Sequence, residues 1–291
     1  MSPKKILVVY KESAYSRYLT GPQLSKGLKQ GRYWDIVRGS HERHNHTLSI
    51  VRETLVGMGL AAKWVLRDRI QTLKLVDGSF RLVITVGGDG TLLDTSHHLV
   101  QTPVLGVNSD PRRSVARFSG CNADSFAQVL SAYLAGKIKP ALLQRLELSL
   151  GGHKNKWLVL NDLLVAAASP AATSRYVLRA GSRMEEQLSS GIWVSTAAGS
   201  TAAALSAGGK ALPVLSDKFQ FVVREAYQKK FGPRKLLRGV LGRGQKLEVV
   251  SYMKEGRVFV DGANLMAPFR LGERLEVRLS QRPLKVIGLR K

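Results

Sequence analysis

Val83-Ile84-Thr85-Val86-Gly87-Gly88-Asp89-Gly90-Thr91-Leu92-Leu93-Asp94 decides how the rest of the chain is read. It opens on β-branched residues, as a buried parallel strand does, breaks at two adjacent glycines, and resumes from Thr91 in a pattern that a helix carries. A strand feeds a turn and the turn feeds a helix. Glycine needs little room, so Gly87, Gly88 and Gly90 let the backbone approach a ligand closely and aim its N–H groups at it. That geometry, with a helix N-terminus behind it, suits phosphate. Asp89 is the odd member, because a carboxylate left alone in a phosphate cradle repels its ligand. It makes sense if it holds Mg²⁺ or accepts a proton from an attacking hydroxyl; the plainer alternative is a loop in which Asp89 caps the helix.

The flanks read as an α/β domain. Ile6–Tyr10 is a predicted strand, and one helix is expected around Gln23–Gln30. His41-Glu42-Arg43-His44-Asn45-His46 invites a metal reading, but without a helical histidine pair and acidic partner it is expected to be a polar loop entering the next helix. That helix is predicted over Thr47–Val56, with its apolar stripe at Leu48, Val51 and Leu55. Gly57-Met58-Gly59-Leu60-Ala61-Ala62 fits the dinucleotide fingerprint only superficially, since a helix precedes it and the strand Ala62–Leu66 follows; it reads as a helix C-terminus. After the central turn come a helix over Thr91–Val100, a strand over Pro103–Val107, and the loop Asn108-Ser109-Asp110-Pro111-Arg112-Arg113-Ser114. In a parallel sheet this loop emerges at the same carboxyl edge as the glycine turn, which makes Arg112, Arg113 and Arg117 candidate anion contacts. Asp124–Ala135 is a predicted helix that closes the domain.

From Ala141 the texture becomes β-rich. Strands are expected at Leu142–Leu150, Trp157–Ala168, Tyr176–Ala180, Ile192–Ser195, Leu247–Tyr252, Val258–Val260, Leu275–Leu279 and Leu284–Leu289, with the boundary near Lys139-Pro140. Asn161-Asp162 sets an amide and a carboxylate inside an apolar strand, where a ligand, a β-bulge or a strand-end hydrogen bond could satisfy them. Ser195–Gly209 reads as a strand end, a small-residue turn and a helix without bulk, against which a flat ligand or another backbone can lie. Gly208-Gly209-Lys210-Ala211 is not a P-loop, lacking its hydroxyl residue and earlier glycine.

The chain has 291 residues, 44% of them hydrophobic, enough for one large or two smaller soluble domains. No apolar run is long enough to span a bilayer, and the N-terminus does not resemble a signal peptide. Cys121 is the only cysteine, which excludes an intramolecular disulfide and a Cys-built metal site and points to a reducing cytoplasm. Lys and Arg outnumber Asp and Glu by 45 to 21, giving a net charge of +24. Such a field attracts polyphosphate, nucleotides or nucleic acid. Because the basic residues are spread along the chain and aromatics make up only 7%, a dedicated nucleic-acid module is not expected.

Three stretches together resemble the NAD kinase family. Gly87-Gly88-Asp89-Gly90-Thr91 is similar to its GGDGT turn, Asn161-Asp162 to its Asn-Glu pair, and Gly199–Gly209 to its GSTAYSLSAGG segment. The turn alone is shared with diacylglycerol, sphingosine and phosphofructokinase-like kinases; the third segment is far more telling. Gly106–Pro111 with Arg113-Ser114, and Ser189-Ser190-Gly191, resemble the mitochondrial-type branch, and Val260-Asp261-Gly262 resembles a strand end of the family. The resemblance implies an N-terminal α/β domain over 1–139, a β-rich, β-sandwich domain over 140–265 that binds NAD, and a segment 266–291 returning to the first domain. It implies Mg²⁺-dependent phosphoryl transfer from ATP, or polyphosphate, to the adenosine-ribose 2′-hydroxyl of NAD, giving NADP.

On the same resemblance Asp89 orients or deprotonates that hydroxyl, while Gly87, Gly88, Gly90 and Thr91 approach phosphates. Asn161 and Asp162 bind ribose, Thr201–Ser206, with Ala202 and Ala203, forms the adenosine wall, and Gly199 and Ser200 belong to the same binding segment. Mg²⁺ arrives with ATP, no protein metal ligand is assigned, and a homo-oligomer, dimer or tetramer, with no membrane partner is expected. The chain departs from the family where Asp162 replaces Glu, Ala203 an adenine-stacking Tyr, and Ser190 an Asp; Trp193 is a candidate to fill the space beside Ala203. The alternatives are a lipid or sugar-alcohol kinase sharing the glycine turn and a non-catalytic nucleotide-binding homologue.

Overall fold

The computed structural model of the chain describes residues 5–19, 31–73, 77–151, 157–227 and 235–289, so the helix expected around Gln23–Gln30 lies outside the described residues. The chain divides into two compact units, one of Met1–Leu142 with Leu284–Lys291 and the other of Leu143–Pro283.

In the first unit, runs of mostly buried, largely aliphatic residues form strands β1 (Ile6–Tyr10), β3 (Leu82–Gly87) and β4 (Val104–Asn108), and the less buried or less aliphatic segments β2 (Ala62–Leu66), β5 (Ser119–Asn122) and β6 (Ala141–Leu143) add to them. Helices α1 (Arg32–Gly57), α2 (Asp89–Ser96) and α3 (Phe126–Leu134) lie between them along the chain. The seven-stranded sheet runs β2-β1-β3-β4, then Leu284–Val286, then β6, with β5 beside β4. The pairings of β1 with β2 and β3, and of β3 with β4, are parallel. The chain leaves β1 towards β2 on one side and leaves β3 towards β4 on the other. The order therefore reverses between β1 and β3, and a crevice outside their carboxyl ends is where such sheets bind ligands.

α1 is longer than the sequence pattern suggests and includes His41–His46, which were expected as a loop. Its buried residues are His44, Thr47, Val51 and Leu55, a helical stripe whose first two members are polar and so invisible to a hydrophobicity reading. Burial is tolerable because His44 Nε2 lies 2.9 Å from the Lys11 carbonyl oxygen and Thr47 Oγ1 donates to the Arg43 carbonyl. α2 stops at Ser96, short of Val100; the Thr95 and Ser96 hydroxyls bond back to the Thr91 and Leu93 carbonyls, the local competition that ends helices.

The second unit holds β7 (Leu146–Leu150), β8 (Leu158–Val159), β9 (Asp162–Ala167), β10 (Ser174–Ala180), β11 (Arg183–Ser189) and β12 (Ile192–Thr196), followed by α4 (Ala203–Ser206). It continues with β13 (Lys218–Val223), β14 (Arg238–Gly242), β15 (Lys246–Ser251), β16 (Gly256–Val260), β17 (Leu265–Phe269) and β18 (Arg274–Leu279). The expected strands Leu142–Leu150 and Trp157–Ala168 are each split, the second at Leu160-Asn161, and Leu284–Leu289 shortens to β19 (Leu284–Val286). Two six-stranded sheets result, β11-β10-β15-β18-β7-β8 and β14-β13-β12-β9-β16-β17. Alternate residues of both sheets, among them Leu148, Tyr176, Val249 and Val277 with Val165, Val194, Phe221 and Val258, meet in one buried cluster, so the unit is a β-sandwich. The second sheet's other face keeps Asp162, Trp193, Ser195 and Gln220, and the functional side chains of this unit come from there and from its strand ends.

Candidate active site

At the carboxyl end of β3 the glycine turn is packed tightly by its own sequence. A Cβ on Gly87 would stand 2.2 Å from Thr91 Oγ1, and one on Gly88 2.9 Å from Ser114 Oγ. The turn is fixed by Ser109 N–H donating to the Gly87 carbonyl and Thr91 N–H to the Gly88 carbonyl, at 3.0 and 3.1 Å. The Thr91 hydroxyl is buried with no hydrogen-bond partner among the described residues, a cost that a bound acceptor or donor would remove.

Asp89 is neither an unaccompanied carboxylate nor a helix cap. It is the first residue of α2, makes no side-chain cap, and accepts the backbone N–H groups of Arg117 and Phe118 at 2.9 Å, one on each oxygen. Those two bonds fix its plane and still leave each oxygen a lone pair, so the half-buried carboxylate can take a hydroxyl proton without rotating. A cavity of about 470 Å³ opens at its partner Arg117, lined by Asn108, Ser114, Ala116, Arg117, Cys121 and Asn122 among others. Arg112 and Arg113 are exposed, while Arg117 contributes its backbone to Asp89.

In the second unit the strand break at Leu160-Asn161 is held from below by Asp261. This carboxylate, on a half-buried residue with φ of 49°, is turned inward and accepts the N–H groups of Leu160, Asn161 and Asp162 at 2.7–3.1 Å. Burial raises its pKa to about 7, with the Asp162 charge adding to the rise and the three N–H groups opposing it. Asp162, itself buried, takes an N–H of the Asn161 amide at 3.0 Å and is pushed up to about 6 by desolvation. The two side chains thus form an amide-carboxylate edge.

The segment Ser195–Gly209 is knitted to that edge. The Thr196 hydroxyl donates to the Leu160 carbonyl at 2.7 Å and accepts the Gly199 N–H at 3.0 Å. Gly199 lies so close that a Cβ there would fall 2.1 Å from the Asn161 carbonyl oxygen. Ser200 is fully buried, its hydroxyl donating to the Ala197 carbonyl and accepting the Leu212 N–H, so it shapes the turn. Thr201, Ala202 and Ala203 are half-buried and Ser206 is exposed; the helix expected here is the single turn α4. Trp193 pairs with Leu164 across the strands, on the same face as Asp162 and Ser195, with the Arg224 guanidinium 5.9 Å from its ring centre.

Within the first unit, then, the structure gathers Gly87, Gly88, Asp89, Gly90 and Thr91; within the second, Asn161 and Asp162 with the Gly199–Ser206 segment. Sequence reasoning missed the Asp261 carboxylate as the support of the Asn161-Asp162 edge, and Thr196 as the link to Gly199. It also assigned nothing to Lys11 and Arg67, which stand at the ends of β1 and β2. Periodicity carries no signal for such contacts between distant residues.

Residues 28–138 match the family model of the ATP-NAD kinase N-terminal domain. A probable NADH kinase of Oryza sativa subsp. japonica is 40% identical over 228 residues, covering 71% of this chain and 70% of that protein. An NADH kinase of Arabidopsis thaliana is 36% identical over 223 residues, 67% of this chain and 69% of that one. In fold, the chain is similar to an NAD kinase from Archaeoglobus fulgidus in complex with ATP, with a TM-score of 0.70 at 20% identity over 99% of this chain and 94% of that one. It is similar, too, to yeast NADH kinase complexed with NADH, with a TM-score of 0.69 at 15% identity over 99% and 84% of the respective chains. A glycine turn carrying a carboxylate held by two backbone N–H groups, an amide-carboxylate edge braced from behind, and relatives of this identity and coverage lead to one assignment: the chain belongs to the NAD kinase family.

Proposed function

We propose that the protein transfers a phosphoryl group from ATP, or polyphosphate, to the 2′-hydroxyl of the adenosine ribose of NAD or NADH. The observation that carries this reading is Asp89, whose two oxygens are each fixed by one backbone N–H and each free to accept one more hydrogen. In the reaction the 2′-oxygen attacks the terminal phosphorus of ATP, its proton passes to Asp89, and the bond from that phosphorus to the β-phosphate bridge breaks, releasing ADP. Asn161 and Asp162 hold the ribose, Asp162 as the charged acceptor of a hydroxyl. Thr201–Ala203 and Trp193 offer the surface for the adenosine; a half-buried indole supports the view that Trp193 takes over from the missing aromatic at Ala203. The plant relatives named NADH kinases support including the reduced dinucleotide as acceptor.

Mg²⁺ belongs to this reading as a passenger of the phosphates. In this role the ion would be bound mainly by phosphate oxygens and water. Its charge would offset that of the transferring phosphoryl group. No helix among the described residues is long and apolar enough to cross a membrane. The lone buried Cys121 supports a reducing compartment such as the cytoplasm, and a dimer or tetramer, measurable by light scattering, completes the reading.

The test is NADP or NADPH formation by purified protein with Mg-ATP. Asp89→Asn, which keeps the shape and loses the base, is expected to lower kcat by about 10²–10⁴-fold with the acceptor KM little changed. An Asp89→Asn enzyme as active as the parent would remove Asp89 from the chemistry.

A further inference from the structure

The crevice between the carboxyl ends of β1 and β3 has the glycine turn on one lip and Lys11 on the other, because Tyr10 pairs with Val86 and the Lys11 N–H donates to the Val86 carbonyl at 3.3 Å. One strand further out, Arg67 follows β2 directly. Three neighbouring strand ends, each about 5 Å from the next, thus present Arg67, Lys11 and Gly87–Gly90 in a row. Arg67 leans across that row: its Nη1 stands 3.9 Å from where a Cβ on Gly90 would be, while its Nε is shared between Asp68 and Asp94 at 3.2 and 3.3 Å.

Lys11 is placed differently from the other cations nearby. Asp110 is occupied by Arg43, at 2.6 and 3.3 Å, and Asp94 and Asp68 by Arg67. The Lys11 ammonium is half-buried and, among the described residues, makes no hydrogen bond or ion pair within 4 Å. Burial holds it below the usual lysine range, Asp110 pulling it up and Arg67 pushing it down. Its main chain is not adjustable, being fixed to β3 on one side and to the buried His44 ring on the other. A half-buried cation held beside a second one is disfavoured until an anion arrives, and the backbone opposite is built to receive anions.

We infer that Lys11, assisted by Arg67, binds the phosphates of a linear triphosphate in the β1/β3 crevice and so selects the phosphoryl donor. The inference rests on the kinase reading for its role in catalysis, but the binding it requires can be measured without any acceptor. The ligand chemistry is common to two sources, the tail of ATP and inorganic polyphosphate.

The experiment measures dissociation constants of ATP, ADP, AMP and inorganic tripolyphosphate, and separately of NADH, for the parent protein, Lys11→Met, Lys11→Arg and Arg67→Met. Lys11→Met is expected to weaken ATP and tripolyphosphate at least about tenfold, the worth of one charge-assisted contact, and AMP and NADH less than about twofold. Lys11→Arg keeps the charge and should recover most of the loss, which a merely structural role at this position would not allow. Tripolyphosphate competing as well as ATP identifies polyphosphate as the source; a much weaker tripolyphosphate identifies the nucleotide. Unchanged ATP affinity in Lys11→Met, or an equal loss for AMP and NADH, overturns the inference. Should Lys11→Met fail to fold, Arg67→Met carries the same test, since its partly exposed side chain can be shortened without opening the core, and an unchanged ATP affinity there overturns it equally. If the parent makes NADP normally while these variants keep their ATP affinity, the inference falls and the kinase reading stands. If the variants lose phosphate binding as expected while the parent turns over no acceptor, the inference stands and the kinase reading falls.

Discussion

Two buried ionisable residues make different properties of the protein fall with the pH, stability in one case and binding in the other. His44 is held down to about 4, first by desolvation and then by the charge of Lys11, whereas an unfolded imidazole titrates near 6.5. Between those values only the unfolded chain takes up the proton, so His44's contribution is complete above pH 6.5 and is lost as the pH drops towards 4. The shift corresponds to about 3 kcal/mol. Urea titrations at pH 7.5 and 4.5 should show the parent losing roughly that much more stability than His44→Gln; equal losses would rule the site out. Asp162, raised to about 6, matters to binding instead: as the pH falls through 6 the carboxylate that accepts a ribose hydroxyl disappears. The acceptor KM should therefore climb below pH 6 in the parent and stay flat in Asp162→Asn, and a parent profile with no inflection there would refute it. Of these roles the sequence displays only the polar character of Asp162 inside an apolar strand. His44 belongs to a core stripe yet has the look of a surface residue, which is why His41–His46 reads as loop.

At the level of elements, the contact between the Asn161-Asp162 edge and the small-residue turn carries the most weight. Gly199→Ala would force a Cβ to 2.1 Å from the Asn161 carbonyl, so one chain segment or the other must move. Loss of about 1–3 kcal/mol in stability is expected, with NADH affinity falling at least tenfold because the edge is displaced; fluorescence titration and thermal melting check both, and a variant binding normally would show the contact to be slack. Asp261→Asn turns an acceptor of three N–H groups into an amide that can accept on one oxygen only, and a comparable loss of NADH affinity is expected. The strands that sequence alone misses follow a physical rule. β11 and β14 end their sheets and β5 lies off the main path, so each has one side without a partner strand and a weak apolar signal; β17 is an edge strand too, apolar throughout but carrying Pro268, which reads as a strand breaker. β13 breaks that rule, since its Phe219-Gln220-Phe221 alternation is plain and it lies inside its sheet. The inner strands β7 and β18 are legible because their alternation in sequence is their alternation in burial.

For the molecule as a whole, the shift from helix-bearing to strand-bearing texture near Ala141 is legible because hydrophobic period is a local property. The membership of Leu284–Val286 in the first sheet is not legible from period, since that pairing joins residues far apart in the chain; only the family resemblance, with its returning segment over 266–291, points to it. Leu284, Val286 and Ile287 are buried to within 1% of completely, and their removal forfeits about 5–9 kcal/mol of burial. That is comparable to the whole stability of a domain. Ending the chain after Pro283 should accordingly unfold the first unit, seen as loss of the helical circular-dichroism signal of α1–α3 while the β-sheet signal persists; an unchanged spectrum and melting curve would disprove it.

That late strand also sets a timetable. On the ribosome, the N-terminal part of the first unit emerges early but stays without its closing piece while roughly 140 further residues are translated, a wait of roughly 7–30 s at ordinary elongation rates. Newborn chains would therefore expose the flank of β4 to chaperones throughout that interval, and anything that stalls translation within the sandwich should send the protein to proteolysis rather than to a half-finished product.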